Sequence, residues 1–258
     1  MISHHRMQRR MSLFVASVMT GMSIHAAGAQ SRTQQTPPLD SIGARACEWD
    51  GWLPPVAARA RFHAAHPLPE TAERALRLAL DSPDPKERDR AARALASGHD
   101  SATVTALLRH ADDQNAIVRD GVLRSLGRIG SPLAESPLVT ALGSHDPQIR
   151  QAAAWSLGQI EAVGASTALL AATRDTNEHV RSEAAWALGF AGTTSAMPRL
   201  RQLTTDEQKP VRLAAVCSIG WLRGDIGDAV NADPSEVVRA AAAWAKARSA
   251  TRSIRTPR

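Results

Sequence analysis

The sequence predicts an all-α solenoid of about six two-helix repeats. Three observations carry that expectation. Arg88, Arg119, Arg150, Arg181 and Arg212 stand 31 residues apart, and Arg239 follows after a further 27. Seven positions past the first five arginines stand Leu95, Leu126, Leu157, Leu188 and Ile219. Four positions before the six arginines stand Asp84, Asn115, Asp146, Asn177, Gln208 and Ser235. A fixed period in this range marks a repeat architecture, in which each unit buries its apolar face only by stacking on its neighbours.

The chain ahead of the repeats divides by composition. Arg6, Arg9 and Arg10 precede an apolar run from Met11 to Ala27, and Ala27-Gly28-Ala29 follows. A basic head, a short apolar middle and an A-x-A site are the parts of a secretory signal, so residues 1–29 are read as an export signal. The run is too short and too interrupted to be read as a membrane helix, and no span is expected in the mature chain. Residues 30–40 are rich in Gln, Thr, Pro and Ser and read as a linker. Residues 41–67 hold two short helical patterns, Ser41–Trp52 and Val56–Ala65, expected to cap the first repeat. The repeats span residues 68–248, and residues 249–258 read as a basic, frayed tail.

Within each repeat two helices are legible. Leu76, Leu107, Leu138, Leu169 and Leu200 lie twelve before the arginines, and Ala72, Thr103, Ala134, Ala165 and Ala196 lie four earlier still. That spacing puts a leucine and a small residue on one face of a first helix. Ala91, Val122, Ala153, Ala184 and Ala215, three past the arginines, join the leucines seven past to form the buried stripe of a second helix. The residues four before the arginine, Gln208 excepted, are good helix caps, and Pro85 and Pro147 take the first helical position. In the sixth unit the first helix shrinks to about Ile226–Val230, and Lys246 stands at the core leucine position, which suits a last unit.

Six positions before the arginine stand Asp113, Asp175, Asp206 and Asp233, with Ser82 and Ser144 in the other units. The pairs Asp113 and Arg119, Asp175 and Arg181, Asp206 and Arg212, and Asp233 and Arg239 suggest a structural hydrogen-bonded ladder down the stack.

The pattern from Asp175 to Gly189, D-x-x-x-x-V-R-x-x-A-A-x-A-L-G, resembles the HEAT repeat, and most closely the short type of the phycobilisome lyases. The likeness covers about residues 68–248. It implies a right-handed superhelix of the armadillo/HEAT type, whose second helices line a concave surface used mostly for binding proteins.

Charge narrows the partners. Of the 31 Lys and Arg, three lie in the signal and five at the C-terminal end (Lys246, Arg248, Arg252, Arg255, Arg258), which leaves 23 against 25 acids in residues 30–245. The basic balance therefore sits at the chain ends rather than on a folded face, and nucleic acid is not expected as a partner. Cys47 precedes the repeats and Cys217 lies in the fifth. Stacked layers about 10 Å apart would hold them beyond disulfide reach unless the N-terminal segment folds back, so two separate thiols are expected.

Five positions past the arginines the series reads Arg93, Arg124, Trp155, Trp186, Cys217 and Trp244. At 100° per residue this position points away from the core stripe. A row of Arg and Trp has the composition of an interface hot spot; the alternative is packing between neighbouring second helices. The expected role is a non-enzymatic, exported scaffold, periplasmic or secreted, that binds a protein or peptide on its concave face and uses no cofactor or metal.

The alternatives are a lyase or metal-dependent subunit of the bilin lyase or deoxyhypusine hydroxylase type, and an inert module whose tail makes the contacts. The hydroxylases carry His-Glu pairs as iron ligands, whereas here Glu178-His179 is reversed and single. His99, His110 and His145 fall at turns or helix ends of different units. His63 and His66 could share a helix face but have no acid or cysteine beside them.

Overall fold

The computed structural model describes residues 39–47, 68–98 and 100–253. Helix α1 (Leu39–Cys47) precedes the repeats. Five repeats then pair α2 (Glu70–Ala79) with α3 (Pro85–Ala94), α4 (Ser101–Arg109) with α5 (Ala116–Ile129), α6 (Glu135–Ala141) with α7 (Pro147–Gln159), α8 (Ser166–Ala172) with α9 (Glu178–Phe190), and α10 (Met197–Leu203) with α11 (Lys209–Trp221). In the sixth repeat a 3₁₀ turn at Ala229–Ala232 replaces the first helix, and α12 (Glu236–Ser253) closes the stack. Among the described residues there is no strand. This is the all-α solenoid that the repeat period predicts.

The repeat leucines build the core. Leu107, Leu138, Leu169 and Leu200 from the first helices, Leu126, Leu157, Leu188 and Ile219 from the second, and Leu95 in the 3₁₀ turn that follows α3 are fully buried, as are Val118, Val180, Val211 and Val238. Leu76 is only partly buried. The second helices pack against one another along the whole stack, whereas the backbones of neighbouring first helices seldom come close and meet through longer side chains such as Arg77 to Thr103 and Arg199 to Thr173. An inner layer packed more closely than its outer layer curves the stack, with the second helices on the concave side.

Small residues make that inner layer close. Gly127 and Gly189, eight past their arginines, face Ser156 and Ser218 of the next second helix. A Cβ added to either glycine would lie 2.7 Å from the serine Cβ. The serine hydroxyls donate back across the contact, Ser156 to the Leu123 carbonyl and Ser218 to the Ala185 carbonyl, both at 2.9 Å. Buried hydroxyls without an acceptor would be costly, so each serine serves two purposes: it is small, and its one polar atom is satisfied.

The caps follow the residues. Asp84, Asn115, Asp146 and Asn177 accept from the backbone N–H two positions on, at 2.8–2.9 Å. Gln208 makes no such bond. The residue two past it is Pro210, which has no N–H to offer, so the donor that the other caps satisfy does not exist there.

Three expectations change. Helix α1 begins at Leu39, inside the stretch read as linker, and it packs along α12 of the last repeat rather than over the first. The remainder of the expected cap, residues 48–67, lies outside the described residues, as do the signal (1–29) and residues 30–38. Helix α12 runs on to Ser253, so the first half of the expected frayed tail is helical. Finally, Cys47 and Cys217 are bonded, with Cα atoms 5.3 Å apart. The spacing argument for separate thiols holds only while the N-terminal segment stays at its own end. Once α1 folds back to the last repeat, the two cysteines meet.

Candidate functional site

Two sets of side chains run along the second helices. The first is the arginine ladder at their N-terminal ends. Arg88, Arg119, Arg150, Arg181, Arg212 and Arg239 each donate to the carbonyl six residues back, for example Arg150 to Ser144 at 2.8 Å and Arg239 to Asp233 at 2.6 Å. The rest of the guanidinium reaches forward. Arg88 forks onto Asp113, Arg150 onto Asp175, Arg181 onto Asp206 and Arg212 onto Asp233, with bonds of 2.6–3.1 Å. Each aspartate therefore belongs to its own repeat's arginine through its carbonyl and to the preceding repeat's arginine through its carboxylate. The same carboxylates accept from the N–H groups of Asn115, Asn177, Gln208 and Ser235. Ser144 stands where Arg119 would find its carboxylate, so the fork is missing between the second and third repeats.

The Arg88 fork is the largest influence on Asp113 and holds its carboxyl below the ordinary carboxylate range. For Asp175, Asp206 and Asp233 burial alone would act the other way, but the fork and the backbone N–H outweigh it and the carboxyls are again held low. Bidentate, charge-assisted geometry of this kind fixes one repeat against the next.

The second set is the row five past the arginines, on the inner face. Over the first three repeats it is open and polar. Arg93 is exposed; it is held by Asp89 at 2.8 Å and Asp120 at 3.1 Å. Asp120 also holds Arg124 at 2.9 Å, and Arg124 lies over the half-buried Trp155 ring, 5.8 Å from its centroid. Arg128 joins this group. Loss of water around its guanidinium, then the charges of Arg124 and Arg93, push its pKa down. Glu183 approaches from the fourth repeat. It is partly buried, its Oε2 is shut off from solvent, and burial pushes its pKa up to about 7 against the opposing effects of Gln151 and Arg124.

Over the last three repeats the same row is covered. Trp186 is 6 % exposed, Cys217 0 % and Trp244 7 %. Trp186 stacks on Phe190 at 5.8 Å, Phe190 meets Trp221 at 6.2 Å, and Trp221 meets Trp244 edge-on at 5.8 Å. Arg248 lies over both Trp221 and Trp244, at 5.0 and 4.9 Å from their centroids. The row predicted from the 31-residue register is real as a line of positions, but it is not one uniform surface: Arg93, Arg124 and Trp155 reach solvent, whereas Trp186 and Trp244 are packed. Asp89, Asp120, Arg128 and Glu183 escaped the sequence reading. Asp89 and Asp120 share the position one past the arginine, which carries no charge in the later repeats, Arg128 is a single charge on the same side, and Glu183 looks like any exposed helix acid until its neighbours are known.

His110 sits beside Asp81 at 3.3 Å, and His179 is exposed beside Glu178. His63, His66 and His99 lie outside the described residues. Among the described residues no group of three His, Cys, Asp or Glu could hold a metal ion, and no helix is long and apolar enough to cross a membrane. Lys246 leaves the core leucine position and donates to Asp228 at 2.7 Å and Asn231 at 3.0 Å.

Comparison with known proteins agrees with this geometry. The family pattern described as HEAT repeats matches residues 73–158, 113–178 and 166–247. Among solved structures the chain is similar to the complex of CpcE and CpcF of phycocyanin lyase from Nostoc sp. PCC7120, at 26% identity and a TM-score of 0.54, over 61% of this chain and 67% of that one. It is also similar in fold to a designed armadillo repeat protein solved in complex with the peptide (KR)4, at 21% identity and a TM-score of 0.55, over 67% of this chain and 97% of that one. No curated protein matches the chain.

Proposed function

The chain belongs to the HEAT-repeat family, and from that premise we propose that it is an exported, non-enzymatic scaffold that binds a protein or peptide on its concave face. The observation that carries this reading is the open half of the inner row. Arg93, Arg124 and Arg128 lie within electrostatic reach of one another, Arg124 is over Trp155, and Asp89 and Asp120 hold the first two in place. Guanidinium groups fixed side by side on a rigid scaffold present forked N–H donors to an incoming carboxylate, and the adjacent indole offers an apolar anchor. A peptide with an acidic side chain next to an apolar one fits that chemistry. Residues 1–29 support export to the periplasm or beyond, and a disulfide suits an oxidising compartment.

The test uses the exposed part of the row, because Trp186→Ala would open a cavity instead of removing a contact. The chain and an Arg124→Glu/Trp155→Ala variant are used to capture proteins from an envelope extract of the source cell, with circular dichroism showing that both fold. A protein identified by mass spectrometry with the parent and lost with the variant supports the groove. Equal capture by both removes the groove from the inner row.

The likeness to the phycocyanin lyase complex favours one alternative, a lyase subunit. Cys217, the cysteine of the inner row, is tied up in the bond to Cys47 and is not free as a nucleophile. A visible absorption band in the purified protein would revive that alternative.

A further inference from the structure

Helix α1 has only nine residues, too few to stay helical alone in water. Two features hold it to the last two repeats. At Gly43 the backbone of α1 comes so close to α12 that a side chain there would run into the Ala240 carbonyl and lie 2.9 Å from the Trp244 Cβ. One turn later Cys47 is bonded to Cys217. Gly43 and Cys47 are four apart and share one helix face. The residues they meet, Ala240, Cys217 and Trp244, occupy positions one and five past the arginine. These are the positions at which Asp89, Arg93, Asp120, Arg124 and Trp155 line the open half of the inner face. Helix α1 therefore lies on the C-terminal end of the same surface.

We propose that α1 is a thiol-released plug of the concave groove. While the Cys47–Cys217 bond stands, the inner face of the fifth and sixth repeats is closed. When it is reduced, α1 leaves and uncovers Ala240, Cys217 and Trp244 for a helix that presents the same face of small residues. This deepens the reading of the inner face as a binding surface and rests on it.

The release is an ordinary thiol–disulfide exchange with a dithiol reductant. One reductant thiolate attacks the Cys47 sulfur, the bond to Cys217 breaks, and Cys217 departs as a thiolate that takes up a proton. The second reductant thiolate then attacks the mixed disulfide, which frees Cys47 and leaves the reductant oxidised. Two electrons pass from the dithiol to the cysteine pair. Both cysteines are shut off from solvent in the closed form, so attack follows fraying of the last turn of α1, where Cys47 sits.

Hydrogen exchange followed by mass spectrometry tests the plug without any partner, so its failure would leave the partner reading standing. In the oxidised chain residues 39–47 should be protected. Dithiothreitol should speed their exchange at least about tenfold more than that of α3 to α9, which lose only the share of global stability that the bond supplies. Unchanged protection of α1 after reduction would show that the bond is not what holds it. An equal loss of protection in α1 and throughout the repeats would show a staple of the whole fold and not a plug. A second arm adds a fluorescent peptide of residues 39–47, with serine for Cys47, to the chain carrying Gly43→Leu and Cys47→Ser. Both substitutions lie on α1, outside the repeats. The peptide should bind this opened chain about tenfold more tightly than the oxidised parent, and equal anisotropy in the two, with both folded, would overturn the proposal.

Discussion

Arg150 holds Asp175 of the following repeat through Nε at 2.6 Å and Nη2 at 2.8 Å, while its Nη1 donates to the Ser144 carbonyl of its own repeat at 2.8 Å. One side chain thus closes a turn and joins two repeats. Arg150→Ala should cost about 2–3 kcal/mol, because it leaves a mostly buried carboxylate without its main partner. Arg150→Lys should recover less than half of that, since an ammonium cannot make the fork. Urea unfolding of the three proteins measures both, and a cost under about 0.5 kcal/mol for Arg150→Ala would place this pair with ordinary surface ion pairs.

Arg119 has no such partner, because Ser144 stands at the position filled by Asp113, Asp175, Asp206 and Asp233. Ser144→Asp should complete the ladder. Its carboxylate would also replace the serine hydroxyl as the acceptor for the Asp146 N–H, which lies at 3.2 Å. The gain should be about 1 kcal/mol, or roughly 2–4 °C in Tm for a chain of this size. A double-mutant cycle with Arg119→Ala checks the cause: without the arginine, Ser144→Asp should gain nothing.

The ladder also shows what can be read from a repeat sequence. The offset of six between Asp175 and Arg181 was visible, and so were the serines at positions 82 and 144. Which arginine takes the carboxylate was not. In a 31-residue period, six before one arginine is the same register as 25 after the previous one, and periodicity cannot tell them apart. The fork follows the second offset. The caps, the core leucines and the line of the inner row were legible because they depend on positions within one repeat. The docking of α1 depends on residues far apart in the chain, and its contact face of Gly43 and Cys47 carries no apolar period. The covering of Trp186 and Trp244, which divides the row into open and packed halves, was hidden for the same reason.

Two sets of carboxyls give stability opposite dependences on pH. The ladder aspartates have folded pKa values below their ordinary value of 3.8. Their contribution is complete above that value and is lost as pH falls through the depressed ones. Glu183 is the reverse, raised from 4.5 to about 7 by burial. Its folded form keeps a proton that the unfolded chain has given up, so stability is lost as pH rises from 4.5 through about 7. The maximum should therefore lie on the mildly acidic side. Glu183→Gln should remove the decline between pH 4.5 and 7 and leave the acid limb unchanged. Parallel pH profiles for parent and variant would mean that Glu183 does not carry the proton.

The Cys47–Cys217 bond closes 170 residues of chain, so it restricts the unfolded state strongly. Solenoids tend to fray from their ends, and here the bond ties the last two repeats to a segment that precedes the first. Cys217→Ser should lower stability by about 2–4 kcal/mol, or roughly 5–15 °C in Tm. The part of that loss due to chain entropy should appear equally when the parent is unfolded in a reducing buffer. A Cys217→Ser chain as stable as the oxidised parent would mean that strain in the folded state cancels the constraint.

Gly189 tests the curvature itself. It lies eight past Arg181, and a Cβ there would sit 2.7 Å from both the Cβ and the Oγ of Ser218 and 2.9 Å from its Cα. Backbone is involved on both sides, so neither helix can yield by turning a side chain. Gly189→Ala removes a glycine from a helix interior, which elsewhere would stabilise by about 0.5–1 kcal/mol. Here the overlap should dominate and the variant should lose about 1–3 kcal/mol, because α9 and α11 must separate and the Ser218 bond to the Ala185 carbonyl must lengthen. Gly192 provides the control. Nothing lies within 4 Å of a Cβ built there, but its φ is +68°, so Gly192→Ala should cost only local backbone strain, about 1 kcal/mol. If the inner layer sets the curvature, Gly189→Ala should also straighten the stack, which small-angle scattering reads as a larger radius of gyration, whereas Gly192→Ala should leave the shape unchanged. Equal shapes with unequal stabilities would assign Gly189 to packing alone.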